Sequence, residues 1–132
     1  MSYTLSFRTV ISGNIAKPVD KTVSVTADGL DERDLAVPVG TDQQVLIAFT
    51  VASVKGLVIS SDQNMTLETN SGTSPAQTFT LTAGQPLVWY TGCGYTNPFT
   101  VDVTAFYFTN GTAVTANVAI TILKDSTPAF LL

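Results

Sequence analysis

Residues 113–123 read AVTANVAITIL, and the apolar side chains of this stretch fall at every second position. A period of two is typical of a β-strand, because successive side chains of a strand point to opposite faces of its sheet. Val and Ile also suit a pleated sheet, since their stiff χ1 angles lose little freedom there. The stretch therefore predicts a strand with one buried face. The residues on that face are Val114, Ala116, Val118, Ile120 and Ile122.

Similar alternation recurs towards the N-terminus, and no segment keeps a helical period for more than about two turns. Residues 3–11 alternate apolar side chains with Ser and Thr in most of the intervening positions. Residues 45–51 are apolar on both faces, which is typical of a central strand covered on both sides. Further short strands are predicted at residues 23–27, 57–59, 65–69, 79–81, 87–89 and 101–109.

Short polar segments separate these strands. Asn110-Gly111 supports two residues at positive φ, so the strongest turn is predicted there. Residues 61–64, Ser-Asp-Gln-Asn, predict a hairpin loop between the strands that flank them. The acidic stretch DGLDERD at residues 28–34 breaks the alternation and is predicted as a solvated loop, with one helical turn as the alternative.

These patterns together predict an all-β fold. About eight to ten short strands follow one another at turn spacings of roughly 8–12 residues, which is typical of an antiparallel β-sandwich or a jelly roll. The 132 residues suit one domain with a sizeable core. We predict a single β-sandwich domain at residues 1–124 and an apolar C-terminal tail at residues 125–132.

The chain is poor in charge. Charged residues make up 12% of it, whereas about a quarter is usual in a soluble domain. Between Gly56 and Leu123 there is no Lys or Arg, and the only acids are Asp62, Glu68 and Asp102. Neutral Thr, Ser, Asn and Gln replace the charges, and such a surface repels little and favours association. The composition therefore predicts a subunit that packs against other copies of the protein in a homo-oligomer.

Charge and targeting signals argue against several partners. The formal net charge of −4 disfavours nucleic acid and anionic membrane surfaces, both of which select Lys and Arg. No basic-plus-apolar leader opens the chain, and its longest apolar run is far too short to span a membrane. The single cysteine, Cys93, cannot form an internal disulfide. We expect the chain to be made and folded in a cytoplasm.

Residues suited to catalysis are scarce. There is no His, which is the commonest general base, and Cys93 has no basic residue near it in sequence. Zinc would need a cluster of Cys or His, and Asp62-Gln63-Asn64 lacks the rest of a calcium loop. Asp31, Glu32 and Asp34 adjoin one another, as solvated acids commonly do. We predict no enzyme activity, no catalytic residue, no metal site and no cofactor.

The aromatic segment at residues 89–99 is the first candidate interface. It holds Trp89, Tyr90 and Tyr95, together with two glycines that let the chain turn. Large aromatic side chains anchor many protein interfaces, and exposed ones also stack on sugars. The simplest interpretation is that Trp89 and Phe99 pack in or beside the core. A protein interface and a carbohydrate site remain the alternatives.

The C-terminus is the second candidate interface. Pro128 removes a backbone donor and so ends any strand pairing, and three large apolar residues follow at Phe130, Leu131 and Leu132. Chain ends are usually polar and frayed. The apolar end therefore either folds back onto its own core or docks on a neighbouring subunit.

Three stretches resemble small structural proteins of tailed bacteriophages and prophages. They are residues 57–71 (LVISSDQNMTLETNS), 84–89 (GQPLVW) and 97–104 (NPFTVDVT), and the resemblance spans about residues 45–124. It implies a virion component, most specifically a head decoration (cement) protein. Such proteins are commonly small β-rich domains that bind the outside of the capsid, often as trimers. The resemblance assigns no functional residues, and residues 1–44 lie outside it.

The expected function is therefore structural. The resemblance implies the major capsid protein as a partner, a trimer as the favoured homo-oligomer and the virion surface as the location. Two alternatives stay open. One is a lectin-like module that binds a carbohydrate or a receptor, and the other is a tail, neck or baseplate component with the same β-rich texture.

Overall fold

The computed structural model describes residues 2–125, which form ten β-strands and one short 3-10 helix. The prediction of an all-β chain with eight to ten strands is confirmed. The strands are β1 (Tyr3–Ile11), β2 (Val19–Ala27), β3 (Gly29–Val37), β4 (Gly40–Val45), β5 (Val54–Ser61), β6 (Met65–Thr69), β7 (Thr78–Leu81), β8 (Leu87–Tyr90), β9 (Phe106–Asn110) and β10 (Ala116–Lys124), and the 3-10 helix is Val51–Ser53.

Eight of the strands form two antiparallel four-stranded sheets. Sheet I has the order β3-β10-β5-β8, and sheet II has the order β4-β9-β6-β7. From β3 to β10 the chain passes from one sheet to the other at every connection except β6 to β7, which are neighbours in sheet II. This interleaving of two four-stranded sheets is the strand order of a jelly roll. β1 and β2 form a separate two-stranded hairpin.

The core lies between the two sheets. Strand β10 contributes four of the five residues predicted for its buried face, because Ala116, Val118, Ile120 and Ile122 are buried and point at sheet II. The fifth, Val114, lies before the strand and is 53% exposed. Facing the four buried residues is a cluster of phenylalanines that meet mostly edge to face, and each fully buried ring contributes about 1.5–3 kcal/mol to the free energy of unfolding. The buried rings are Phe49, Phe99, Phe106 and Phe108.

The acidic stretch at residues 28–34 is not a loop, and that prediction is wrong. It forms most of β3, an edge strand of sheet I that pairs only with β10. Arg33 donates two hydrogen bonds to the carboxylate of Asp31, at 3.0 and 3.2 Å, and a third to the carbonyl of Leu46. Charged side chains are common on edge strands because they discourage further strand pairing. In β3 the charged residues interrupt the alternation of apolar and polar side chains by which a strand is recognised in the sequence.

The doubly covered central strand predicted at residues 45–51 is also wrong. Strand β4 ends at Val45 and is an edge strand of sheet II. Beyond it only Phe49 makes a strand-like bridge, to Val103, and a 3-10 turn follows. Ile47 and Phe49 are buried, whereas the side chain of Leu46 is 69% exposed. The second apolar face in this segment therefore meets solvent instead of a second layer.

Two predicted turns connect the sheets instead of closing hairpins. Residues 61–64 lead from β5 in sheet I to β6 in sheet II, so the predicted hairpin loop is wrong. Asn110-Gly111 likewise leads from sheet II towards β10, and neither residue has a positive φ. Asn110 is buried and organises the crossing through its side chain. Its amide nitrogen donates to the carbonyls of Val37 and Val114, and its amide oxygen accepts from Thr112.

Candidate functional site

The β1–β2 hairpin has one apolar face, and the base of that face packs on the outside of sheet I. The two strands pair without a shift from Tyr3 opposite Ala27 to Ile11 opposite Val19. Directly paired residues share a face, so Leu5 lies beside Val25, and Phe7 lies beside Val23. These side chains form a second, smaller apolar cluster with Leu30, Tyr90 and Leu123 of sheet I.

Phe7 makes the outermost contact of this base. Its ring stacks on Tyr90, with the ring centroids 4.4 Å apart and the planes inclined by 19°. It also lies over Gly56, where an added Cβ would come within 3.0 Å of the Phe7 ring. A glycine inside a strand often marks such a close approach. Tyr90 belongs to β8, the edge strand of sheet I, so Phe7 sits at the margin of the sheet.

The opposite face of the hairpin is polar, and its side chains pair across the two strands. Thr4 and Thr26 share a hydrogen bond of 2.8 Å between hydroxyls, and Ser6 and Ser24 share one of 3.1 Å. Arg8 holds both carboxylate oxygens of Asp20, at 2.9 and 2.8 Å. This pairing raises the pKa of the Arg8 guanidinium and lowers the pKa of Asp20. Cross-strand side-chain pairs of this kind stabilise the register in which the two strands pair.

Past Phe7 the hairpin has no packing partner in the described part of the chain. Every residue from 8 to 22 is exposed, and we call this segment the hairpin arm. At about 3.3 Å per residue, its strands extend roughly 13 Å from Phe7 to Ile11 before the connecting loop. The loop includes Gly13, which has a φ of 116°. The arm exposes four aliphatic side chains, Val10, Ile11, Ile15 and Val19, by 42–53% each.

The aromatic residues predicted as an interface occupy different environments. Trp89 is half-buried against the core, and its indole N–H donates to the carbonyl of Tyr95 at 2.7 Å. Tyr90 lies under Phe7. Tyr95 is 82% exposed at the tip of a loop in which Gly92 and Gly94 both have positive φ. Phe130, Leu131 and Leu132 lie outside the described residues, so their docking stays a prediction.

The hairpin arm is the candidate that sequence reasoning missed. Alternation at residues 3–11 predicted the strand, but alternation cannot tell whether a partner covers its apolar face. The signal was the cluster of Ile11, Ile15 and Val19 around a polar turn, close to Lys17 and Lys21. A hairpin tip that is both apolar and basic is unusual in a chain with so few charges.

The outer face of sheet II is lined mainly by neutral polar groups. Gln44 donates to the hydroxyl of Tyr107 at 2.8 Å, and Glu68 lies in the neighbouring strand. Desolvation raises the pKa of Glu68, and the nearby carboxylate of Asp42 raises it further. The loop after β6 reaches back towards Asp42 at Gly72. The side chains of this face are Gln44, Thr66, Glu68, Thr78, Thr80, Tyr107 and Thr109.

A shallow groove of about 520 Å³ lies at one end of the sandwich, where Phe49 and Val103 form part of its wall. The charged groups at its rim form hydrogen bonds to the backbone of this chain. Lys124 donates to the carbonyl of Ala48 at 3.2 Å, and Asp102 accepts from the backbone N–H of Val51 at 2.8 Å. Residues 2–125 contain no cluster of three or more His, Cys, Asp or Glu that could bind a metal ion. No helix within that range is long and apolar enough to cross a membrane.

Comparison with protein-family models, with curated proteins and with solved structures finds no match to this chain.

Proposed function

We propose that this chain is a non-enzymatic structural protein of a virion, namely a capsid decoration (cement) protein that binds the outside of the head of a tailed bacteriophage. The observation that carries the proposal is the hairpin arm. It extends from the sandwich, is exposed at every residue from 8 to 22 and presents aliphatic side chains to solvent. Ile11 and Val19 lie directly opposite one another on the two strands, and large apolar side chains exposed side by side favour contact with another protein.

The rest of the surface supports a role in assembly. Apart from Glu68, the outer face of sheet II is lined by neutral side chains, most of them Thr, which supply hydrogen bonds to a partner without the cost of desolvating charges. Jelly rolls occur among viral capsid proteins and among lectins, which is an analogy of fold and not of site. The choice of a phage head rests on the resemblance of residues 57–71, 84–89 and 97–104 to phage structural proteins.

A decoration protein stabilises a shell by adding buried area across the junctions between capsid subunits. A standard interface buries about 800 Å² on each partner, and the contribution is repeated at every copy on the shell. The major capsid protein is the partner in this account, and a trimer is the favoured oligomer. The shell then needs more energy to burst, and no chemical step is involved.

The test is to look for the chain in particles purified from the phage or prophage that encodes it. We expect the chain to be present in many copies, and the purified protein to co-sediment with heads that lack it and to raise the temperature at which they burst. Absence from the particles, together with no binding to such heads, would contradict the proposal. A position on the tail, neck or baseplate would replace the decoration role with one of those.

A second candidate function is a lectin-like module, which the exposure of Tyr95 favours. An aromatic ring that is 82% exposed on a loop is suited to stacking on a sugar. A glycan array probed with the purified chain and with Tyr95→Ala tests this candidate. Specific binding that Tyr95→Ala abolishes, and that Val101→Ala in the same loop keeps, would support it. No binding to any glycan would contradict it.

A further inference from the structure

We infer that the hairpin arm binds a second copy of this chain, on the part of the outer face of sheet I that the copy's own hairpin leaves uncovered. This inference rests on the proposed function only in treating the arm as an assembly element. It adds the identity of the partner and the surface that receives the arm.

The arm cannot reach the uncovered part of its own sheet. The hairpin crosses the outside of sheet I from the β3–β10 side, where Ala27 leads into β3, towards β8, where Phe7 stacks on Tyr90. Strand β8 is the last strand of the sheet. On the same face of the hairpin the pair Thr9–Lys21 follows, and then the pair Ile11–Val19. Both pairs therefore lie beyond the sheet margin, and no described residue covers them.

The receiving surface continues the one that the hairpin already covers. Cross-strand pairing places Glu32, Thr121, Val58 and Val88 in one row across the four strands, directly beside the covered row that contains Leu123. Val88 is 44% exposed and Val58 is partly exposed. On a second copy, the apolar face of the hairpin thus contacts apolar side chains like those on which its own base packs.

Small side chains deepen this surface next to β3. Asp34 pairs with Ala119, and Ala36 pairs with Asn117, so two alanines lie where larger residues would fill the face. A hollow of about 460 Å³ opens there, bordered by Asp34, Ala36, Asn117 and Ala119. It can take one or two aliphatic side chains of the kind found at the tip of the arm, such as Ile15.

Charge complementarity selects a second copy as the occupant. The hairpin carries Arg8, Lys17 and Lys21 against one acid, Asp20, whereas the rest of the chain has nine acidic and three basic side chains. Asp20 is held by Arg8, and neither lysine has an ion pair among the described residues. Lys21 lies on the apolar face beside Thr9. A basic, apolar arm therefore meets a surface that offers apolar side chains and two acids.

The two acids on that surface are Glu32 and Asp34, which are exposed and belong to none of the described ion pairs. The contact joins two different surfaces of the chain, so each copy gives one arm and receives one. Such head-to-tail contacts close into a ring when the rotation between copies allows it.

The test measures the mass of the full chain in solution by sedimentation velocity. We expect reversible association for the natural sequence. Association should weaken by at least about tenfold in K17E/K21E and in E32K/D34K, because each places like charges against one another. The variant that combines all four changes restores opposite charges and the natural net charge, so it should associate again. I11E/V19E should be monomeric, whereas A113E/T115E, an equal charge change on an exposed loop, should associate normally.

Three results would overturn the inference. They are a monomeric natural chain, unchanged association of I11E/V19E, and a combined variant that stays as monomeric as its two parents while circular dichroism shows that all are folded. Parallel co-sedimentation with phage heads separates the two proposals. A monomer that binds heads through the arm would make the capsid the occupant of the arm. A ring that binds no heads would keep this inference and contradict the decoration role.

Discussion

Phe7 and Tyr90 join the hairpin to the sandwich through stacked rings whose centroids are 4.4 Å apart. On the sandwich side of this contact the hairpin is half-buried, and beyond it every residue to position 22 is exposed. The stack is therefore the last point at which the sandwich determines the direction of the arm. The contact between Phe7 and Tyr90 thus sets the direction in which the arm leaves the sandwich towards a partner.

Replacing Phe7 with Ala should loosen the hairpin without unfolding the sandwich. The substitution removes the stack on Tyr90 and the contact over Gly56, for a local loss of about 2 kcal/mol. Hydrogen exchange should show faster exchange for the amides of β1 and β2 and little change for β10. Val10→Ala, at an exposed position on the arm, is the matched control and should leave both rates unchanged. Equal acceleration in β10 would mean that hairpin and sandwich unfold as one unit.

In a tight turn at positive φ, substitution of Gly111 would cost more stability than substitution of Asn110. We expect the opposite here. Asn110→Ala leaves the carbonyls of Val37 and Val114 without their donor and should cost about 2–3 kcal/mol. Gly111 has no positive φ, and an added Cβ would meet nothing within 4 Å, so Gly111→Ala should change stability by less than about 0.5 kcal/mol. Chemical denaturation measures both. A larger loss for Gly111→Ala would contradict the described crossing.

Asp62 should stabilise the fold at neutral pH and lose that effect in acid. Its carboxylate accepts from the backbone N–H of Asn117 at 2.8 Å and from the side-chain amide of Asn117 at 2.9 Å, and these bonds lower its pKa. A lowered folded-state pKa gives stability that is present above the unfolded-state pKa and is lost as pH falls through the folded-state value. Asp62→Asn should therefore be less stable than the natural chain at neutral pH. The two unfolding free energies should converge as the pH falls through the lowered folded-state pKa of Asp62.

Glu68 should show the opposite pH dependence. Desolvation and the neighbouring Asp42 raise its pKa, so the folded state favours the protonated acid. The stability that this supplies is complete below the unfolded-state pKa and is lost as pH rises through the raised folded-state value. Glu68→Gln should be more stable than the natural chain at neutral pH, and the difference should vanish in acid. A destabilised Glu68→Gln at neutral pH would mean that the charged form is favoured.

Removal of Phe130, Leu131 and Leu132 tests the prediction that the C-terminus docks on a neighbour. We expect this truncation to weaken assembly or head binding more than it lowers the melting temperature. Comparable losses of binding and of thermal stability would indicate that the end of the chain folds back onto its own core.

The sandwich was largely predictable because its core strands alternate strictly. The five apolar residues from Val114 to Ile122 predicted β10, and four of them are buried. Partnering between strands was not predictable, because alternation gives a strand and a face but no neighbour. Residues 61–64 have the composition of a hairpin loop, yet they join two sheets.

Edge strands account for the other differences. Asp31 and Arg33 neutralise one another along β3, which allowed a charged segment to lie in a sheet. Leu46 made residues 45–51 look covered on both sides, although its side chain points to solvent. The exposed apolar side chains of the arm were not predicted either. Exposure of an apolar face depends on the rest of the fold, and no local pattern records it.

The central claim is that this chain works by binding neighbouring protein subunits. Its most direct test is a cryo-EM map of the purified particle at side-chain resolution. The account predicts the two-sheet domain on the outside of the shell, with the arm of each copy, residues 8–22, lying on sheet I of its neighbour beside Glu32 and Asp34. A particle without the chain, or a chain whose arm projects into solvent and touches nothing, would contradict it.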